Sequence, residues 1–351
     1  MGPFLMMGQL HNRVDRKILK EKLVKCDIAR TTLSFYKYAK IGNVRVFRDH
    51  FYLLLDEIDT FGRIYVAHEG VNGQISVPTQ SLDALRDRMN QITFLDGCRL
   101  NIAVEDDGKS FYKLIIKIKR KIVADGIEDE MFDVTDNARH ITAEEYNQLT
   151  SSDQTIVIDM RNHYESEVGH FDGAICPDVE TFRESLPIVE DILDQNKGKN
   201  VVMYCTGGIR CEKATAYFKH KGFDNLYQLD GGIIEYARQV QASGLDNKYV
   251  GKNFVFDDRL GERISDDVIA KCHQCGSVCD THTNCANDAC HILFIQCENC
   301  KTRYSACCSD LCKDFTALSD EEKALRKKEV TFNGSKFGKG RYAASRGNLS
   351  L

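Results

Sequence analysis

The segment Val201-Val202-Met203-Tyr204-Cys205-Thr206-Gly207-Gly208-Ile209-Arg210-Cys211-Glu212-Lys213-Ala214 constrains this chain more than any other. An apolar strand ends at Cys205 and a helix starts near Cys211, so a tight loop with two glycines must join them. Such a loop can turn its backbone N–H groups toward one point. The helix N-terminus adds a partial positive charge there, and Arg210 adds a permanent one. A thiol at that focus is expected to have a lowered pKa and to be a thiolate at neutral pH. The same cradle would hold a persulfide or an oxyanion. A lone cysteine is by default a buried structural residue. The glycine pair, the arginine and the strand–loop–helix context together favour a chemical role for Cys205. Thr206, Gly207, Gly208 and Ile209 are the expected backbone donors, and Arg210 the residue that orders the loop and offsets anionic charge.

The surroundings alternate strands and helices. Thr155–Ile158, Asn200–Tyr204 and Asn225–Gln228 read as strands, Glu212–Lys221 and Ile233–Gln241 as helices, with Gly222 a C-terminal stop. That order predicts a parallel α/β sheet. Asp159 and Arg161 follow the first strand, where the carboxyl ends of parallel strands line a site; a structural salt bridge is the plainer reading. Cys211 either resolves an oxidised Cys205 or is packed in the first helical turn.

From Leu33 the texture is different. Leu33–Tyr38, Arg63–Val66, Gln74–Val77 and Lys113–Ile122 read as strands, with Gly70, Asn72 and Gly73 as turn residues. Ser81–Gln91 has helical spacing, with Leu82, Leu85 and Met89 on one face and Ser81 as N-cap. This predicts an α+β sandwich of ferredoxin-like type. Residues 12–30 are charged and weakly helical, and 125–140 read as an acidic, polar linker. Residues 323–351, with eight Lys/Arg against one Glu, read as a partly disordered basic tail.

Cysteine usage marks a further module. Of fifteen cysteines, ten lie between Cys272 and Cys312. The opening Met-Gly-Pro-Phe-Leu-Met-Met is too short for a signal sequence, position 6 is not the Ser or Thr of a myristoylation site, and no stretch approaches a membrane span. A cytoplasmic protein with no membrane partner is therefore expected, whose cysteines are thiols or metal ligands rather than disulfides. Cys272-x2-Cys275 and Cys297-x2-Cys300, with 21 residues between the pairs, carry the spacing of a structural zinc site. Cys279, Cys285, Cys290, Cys307, Cys308 and Cys312, with His282, leave enough ligands for a second. Reduced thiols and an iron–sulfur cluster are the alternatives.

The net charge of −5 excludes a uniformly basic coat, so a nucleic acid would be held by local patches. Alternation puts Lys113, Lys117, Lys119 and Lys121 on one face of a strand, where they either bind a nucleic acid or protect an exposed edge. Lys327, Lys328, Lys336, Lys339 and Arg341 offer a second phosphate-binding element. His68, Glu69 and Asn72 lie on a predicted turn, either as turn residues or facing RNA.

Residues 155–238 resemble the rhodanese domain. Ile158-Asp159-Met160-Arg161, Gly169-His170-Phe171-Asp172-Gly173-Ala174, the loop Cys205 to Arg210 and Leu229-Asp230-Gly231-Gly232-Ile233 match its motifs. The loop is Cys-x4-Arg, one residue shorter than in the related phosphatases, which argues for sulfur chemistry over phosphate hydrolysis. The fuller wording is narrower. Tyr204 to Ala214, Glu180-Thr181-Phe182-Arg183-Glu184, Phe254-Val255-Phe256-Asp257-Asp258-Arg259 and Glu69-Gly70-Val71-Asn72-Gly73 together resemble the bacterial tRNA uridine hydroxylases, the TrhO family, over about residues 30–312. The resemblance implies an acylphosphatase-like N-terminal domain before the rhodanese domain. It also implies hydroxylation of the tRNA wobble uridine to 5-hydroxyuridine with molecular oxygen as co-substrate.

The expected organisation is an N-terminal helical extension over 1–30 and an acylphosphatase-like α+β domain over 31–124. A rhodanese domain over 135–247, a Cys-rich zinc module over 248–315 and a basic tail over 316–351 follow. The expected partner is the tRNA anticodon region. The competing functions are a persulfide sulfurtransferase and a non-catalytic zinc and RNA-binding adaptor. The intact Cys205–Arg210 loop opposes the adaptor, and the N-terminal domain opposes a simple sulfurtransferase. No flavin or nicotinamide fingerprint is present.

Overall fold

A computed structural model describes Leu10, residues 14–128 and 131–329, and Tyr342. Two compact units emerge. The first takes in residues up to Thr155, Asn200–Asp246 and Val255–Glu262; the second takes in Ile156–Lys199, Asn247–Phe254 and residues from Arg263 onward.

The first unit carries two sheets. Strands Arg30–Tyr38, Phe61–Ala67, Gly70–Pro78, Asn101–Ile102 and Leu114–Ile118 form a five-stranded sheet. Arg30–Tyr38 pairs antiparallel with both Gly70–Pro78 and Asn101–Ile102, and Phe61–Ala67 pairs antiparallel with Gly70–Pro78 and parallel with Leu114–Ile118. Helices Val44–Asp56 and Leu82–Asn90 connect the strands, which completes the expected ferredoxin-like α+β plan with an added edge strand. Leu33, Phe35, Ile64, Val66 and Ile75 from the sheet meet Phe51, Leu55, Leu85 and Met89 from the helices in one buried core.

Several local expectations need correction. The helix Val44–Asp56 is absent from the sequence reading, although Asn43 caps it by accepting from the Val46 amide. Its Val, Phe and Tyr content has low intrinsic helix propensity, and only burial of Phe51, Tyr52 and Leu55 decides the matter. Ala67 pairs with Gly70, so the hairpin turn is His68-Glu69, and Asn72 and Gly73 sit in the ladder rather than the turn. The edge strand stops at Ile118 rather than Ile122. Residues 125–140 are not simply linker, because Asp125 is buried and Arg139–Ile141 is a strand.

That strand joins the second sheet. Arg139–Ile141, Leu226–Leu229 and Asn200–Tyr204 run parallel, as expected. Helix Ile209–His220 follows Asn200–Tyr204, and helix Gly232–Ser243 follows Leu226–Leu229.

In the second unit, strand Thr155–Asp159 meets Ile175 through the Ile175 and Asp159 amides. Gly169–Phe171 pairs with Tyr249–Asn253. The cysteine module contains the hairpin His282–Asn284 with Leu293–Ile295 and the helices Glu298–Arg303 and Asp310–Ala317. Tyr342 stacks on Phe294 and donates to the Cys308 carbonyl at 2.8 Å. The stretch read as the start of a disordered tail begins with a helix, Asp320–Glu329. Ser319 and Glu322 bond reciprocally across its first turn. Lys336, Lys339 and Arg341 lie outside the described residues.

Candidate functional site

Cys205 is the last residue before the loop and is fully buried. The Gly208 amide donates to its Sγ at 3.2 Å. Burial opposes charge on this sulfur. The Cys211 thiol, the Arg210 charge and the Arg210 and Cys211 amides outweigh that, and the pKa is held down to about 5. Cys205 is therefore a thiolate at neutral pH. The donors differ from expectation in one respect: Gly208 contributes as predicted, but the further amides come from the first helical turn. Cys211 is not merely packed nearby, since its side chain faces the sulfur of Cys205. Arg210 is largely buried and reaches Thr206 Oγ1 at 3.5 Å.

Two glycines make this geometry possible. Gly208 has φ +101°, which L side chains rarely adopt. Gly232 has φ +66°, and an added Cβ would lie 2.4 Å from the Cys205 carbonyl oxygen. Through that close approach the Ile233 and Ile234 amides donate to the carbonyls of Cys205 and Thr206, at 3.0 and 3.2 Å. The Asp-Gly-Gly-Ile signature is thus a clamp on the back of the Cys205 loop.

The N-terminal domain supplies further supports, which the sequence reading did not foresee. Asn101 Nδ2 donates to the Gly207 carbonyl at 3.3 Å, and Tyr38 Oη to the Ile209 carbonyl at 3.3 Å. Glu69 accepts from Lys213 Nζ at 2.6 Å and from the Ile122 amide at 2.7 Å. Lys213 is itself buried and also reaches Asp125 at 3.4 Å. Glu69, in the hairpin turn and partly buried, is therefore a tether for the helix after the loop. The lysine of Cys-Glu-Lys-Ala was visible in the sequence, but nothing local named its partners.

Asp159 and Arg161 form a fully buried fork. Arg161 Nε donates to Asp159 Oδ1 at 2.9 Å and Nη2 to Oδ2 at 2.7 Å, while Nη2 also reaches the Gly169 carbonyl at 2.7 Å. Tyr249 Oη lies 3.3 Å from Nη1. This is the arrangement of a structural pair, tying Gly169 of the Gly-His-x-x-Gly-Ala segment to the strand end.

The cysteine module sorts its thiols into two groups of four. Cys272, Cys275, Cys297 and Cys300 have sulfurs within 4.8 Å of one another, and so do Cys285, Cys290, Cys308 and Cys312. Sulfurs bound tetrahedrally at ~2.3 Å stand ~3.8 Å apart. The pairs Cys275–Cys297, Cys290–Cys308 and Cys308–Cys312 are at 3.6, 3.7 and 3.6 Å. Amides of Cys297 and Cys308 point at Cys272 and Cys285 sulfurs, both at 3.4 Å. Either group could hold a metal ion. Cys279, Cys307 and His282 join neither, which corrects the wider ligand set that spacing allowed.

The basic strand also narrows. Lys117 and Lys119 are exposed, with Lys119 over the Tyr65 ring and the partly buried Lys113 over Tyr112. Lys121 is taken by Asp125 at 2.7 Å and by the Ile127 carbonyl. It is not part of an outward basic face. The strand ends before it, so alternation no longer applies.

Family comparisons match the three parts in turn. Residues 30–122 match the UPF0176 acylphosphatase like domain, 142–239 the Rhodanese-like domain and 250–313 the Rhodanase C-terminal domain. A protein of Photorhabdus laumondii named tRNA uridine(34) hydroxylase is 52% identical over 338 residues, 96% of each chain. The chain belongs to the tRNA uridine(34) hydroxylase family. Other members similar to it are those of Pectobacterium atrosepticum, 53% identical over 91% of each chain, and Yersinia pestis, 51% identical over 92% of this chain and 91% of that one. The family's rhodanese domain carries the Cys205 loop here, and its acylphosphatase-like domain contributes Asn101, Tyr38 and Glu69 to that loop's support. Among the described residues no helix is long and apolar enough to cross a membrane.

Proposed function

We propose that this chain hydroxylates uridine 34 of tRNA to 5-hydroxyuridine, with dioxygen as co-substrate, and that the Cys205 thiolate is its reactive group. What carries the reading is 52% identity to a named hydroxylase along 96% of both chains, in a protein whose rhodanese loop holds a thiolate. In this reading Cys205 is the nucleophile or sulfur carrier. Arg210 offsets its charge, and Gly208, Arg210 and Cys211 hold the sulfur at a fixed point through their amides. Asp159 and Arg161 are assigned to the fold instead of the chemistry.

The anticodon region of tRNA is the substrate. Lys117 and Lys119 are the proposed phosphate contacts on the N-terminal domain. The two four-cysteine groups are assigned one zinc ion each. Four thiolates leave no open coordination position, so zinc there would hold the module's fold and supply no activated water. A cytoplasmic location goes with a tRNA substrate. The proposed domains are those read from the sequence, 31–124, 135–247 and 248–315.

The experiment is complementation of a host lacking its own hydroxylase. The parent chain restores 5-hydroxyuridine at position 34, measured by mass spectrometry of tRNA nucleosides. Cys205→Ala abolishes it while tRNA affinity stays within about twofold, since the basic contacts lie on other elements. Full 5-hydroxyuridine from Cys205→Ala would remove the thiolate from the mechanism.

A further inference from the structure

A cavity of about 350 Å³ opens beside the reactive loop, lined by Tyr36, Lys37, Arg99, Asn137, His140 and Glu212, among others. It adjoins the loop directly: a Cβ on Gly208 would sit 2.6 Å from Tyr36 Oη, and Gly208 is the residue whose amide meets Cys205 Sγ. Its size lies within the range of small-molecule sites, ~300–1,000 Å³, enough for one nucleotide and not for a duplex.

Polar groups from several elements converge on one carboxylate at its wall. Glu212 accepts from Tyr36 Oη at 3.0 Å and faces His140 Nε2 at 3.0 Å. Its other oxygen accepts from Asn137 Nδ2. Asn137 Nδ2 also reaches the Val134 carbonyl at 3.4 Å. A carboxylate only accepts, so this bond fixes which way the Asn137 amide is turned. Both of its hydrogens are spent, and among the described residues its carbonyl oxygen has no donor. The Tyr36 and Tyr38 rings, edge to face at 6.4 Å, add aromatic surface to the same wall. Lys37 is an exposed cation at the rim.

We infer that this cavity is a uracil-reading subsite, in which Asn137 Oδ1 accepts the N3–H of a flipped-in uridine and Glu212 is the positioning residue that holds the amide in that orientation. The inference rests on the proposed tRNA substrate and deepens it. The chemistry selects uracil over cytosine. Uracil presents a donor at N3, whereas cytosine presents a lone pair, which would face the Asn137 oxygen acceptor to acceptor. Tyr36 and Tyr38 supply the stacking surface that single-stranded bases use, and Lys37 meets a neighbouring phosphate. An anticodon base is already unpaired, so little unpairing energy opposes its entry.

The test measures binding of uridine 5′-monophosphate and cytidine 5′-monophosphate by ligand-observed NMR, alongside hydroxylation of anticodon stem-loop RNAs carrying U34. The parent binds the uridine nucleotide in preference to the cytidine one. Asn137→Ala raises KM for the U34 RNA roughly fivefold to tenfold, the range of one neutral hydrogen bond, and erases the U-over-C preference. Glu212→Gln, which presents an amide in place of the carboxylate and frees Asn137 to turn over, lowers the same preference. A defect of folding alone would not change that ratio. Equal binding of the two nucleotides by the parent, or an unchanged preference in Asn137→Ala, overturns the subsite. A parent that prefers the uridine nucleotide but forms no hydroxyuridine would instead overturn the hydroxylase reading and leave the subsite standing.

Discussion

Cys205 stands among amides with a single neighbouring thiol, whereas Cys272, Cys275, Cys297 and Cys300, and Cys285, Cys290, Cys308 and Cys312, stand in fours. The side chain is the same; its neighbours are not. Around Cys205 one negative sulfur is met by oriented N–H dipoles, a thiol and a guanidinium, so the anion is stable without a metal and keeps a lone pair for chemistry. In the module four sulfurs approach to within 4.8 Å. Four thiolates this close repel one another strongly, and either bound protons or a cation at their centre removes the repulsion. A metal would then consume every lone pair that points inward. Reactivity needs isolation and donors; structural use needs company and a cation.

The largest expected effect lies in the module. Cys308→Ala removes one thiol from a buried group of four, and structural zinc contributes on the order of 10 kcal/mol of binding free energy to small metal domains. Elemental analysis should fall from two zinc ions per chain to one. Thermal melting should show early loss of the region 285–312, with the Cys205 thiolate signal retained. Two ions retained in Cys308→Ala, or none in the metal-replete parent, would erase the contrast between the two regions.

A smaller effect tests the loop. The thiolate absorbs in the near ultraviolet, and subtracting Cys205→Ala from the parent isolates its titration. The expected midpoint is about 5, well below an ordinary thiol. Arg210→Ala and Cys211→Ala should each move it up, by roughly one to two units. The sign for stability follows. A folded pKa depressed below the unfolded one gives stability that is fully present above the unfolded thiol pKa. It declines below that and is lost as pH falls through about 5. The parent should therefore lose stability relative to Cys205→Ala on acidification across this window. A midpoint near 8 or 9 would mean that the amides do not converge on the sulfur.

These two regions were unequally legible in the sequence. The loop is local: strand end, glycines, arginine and helix start all fall within ten residues, so Cys205, Gly208 and Arg210 could be read directly. The first four-cysteine group was equally plain, because two Cys-x2-Cys turns already supply four thiols. The second was not. Its members are separated by five, eighteen and four positions, and six cysteines competed for four places until the hairpin and the helix Asp310–Ala317 were in view. The supports of the loop were hidden for the same reason. Glu69 and Lys213 are 144 residues apart, Tyr36 and Glu212 are 176 apart, and no periodicity links them. The parallel sheet and the ferredoxin-like plan were legible from alternation and spacing. The helix Val44–Asp56 was not, since tertiary burial overrides its propensity.

The smallest effect falls on the cysteines that belong to neither arrangement. Cys307 is fully buried, and its thiol is pushed up to about 11 by burial first and by the nearby Cys285 second. It stays protonated and behaves as a small apolar residue. Cys279 is partly exposed, and its sulfur accepts from the Thr281 amide at 3.4 Å. Cys307→Ala should lower stability by about 1 kcal/mol, the scale of one lost buried atom. Cys279→Ser should lower it by less. Neither should change the zinc content, the midpoint of the Cys205 titration or the yield of 5-hydroxyuridine. If Cys307→Ala instead loses an ion, the second group has five members that exchange places, and position in a set of four no longer decides what a cysteine does here. Zinc counted per chain in these two variants, beside Cys308→Ala, measures that directly.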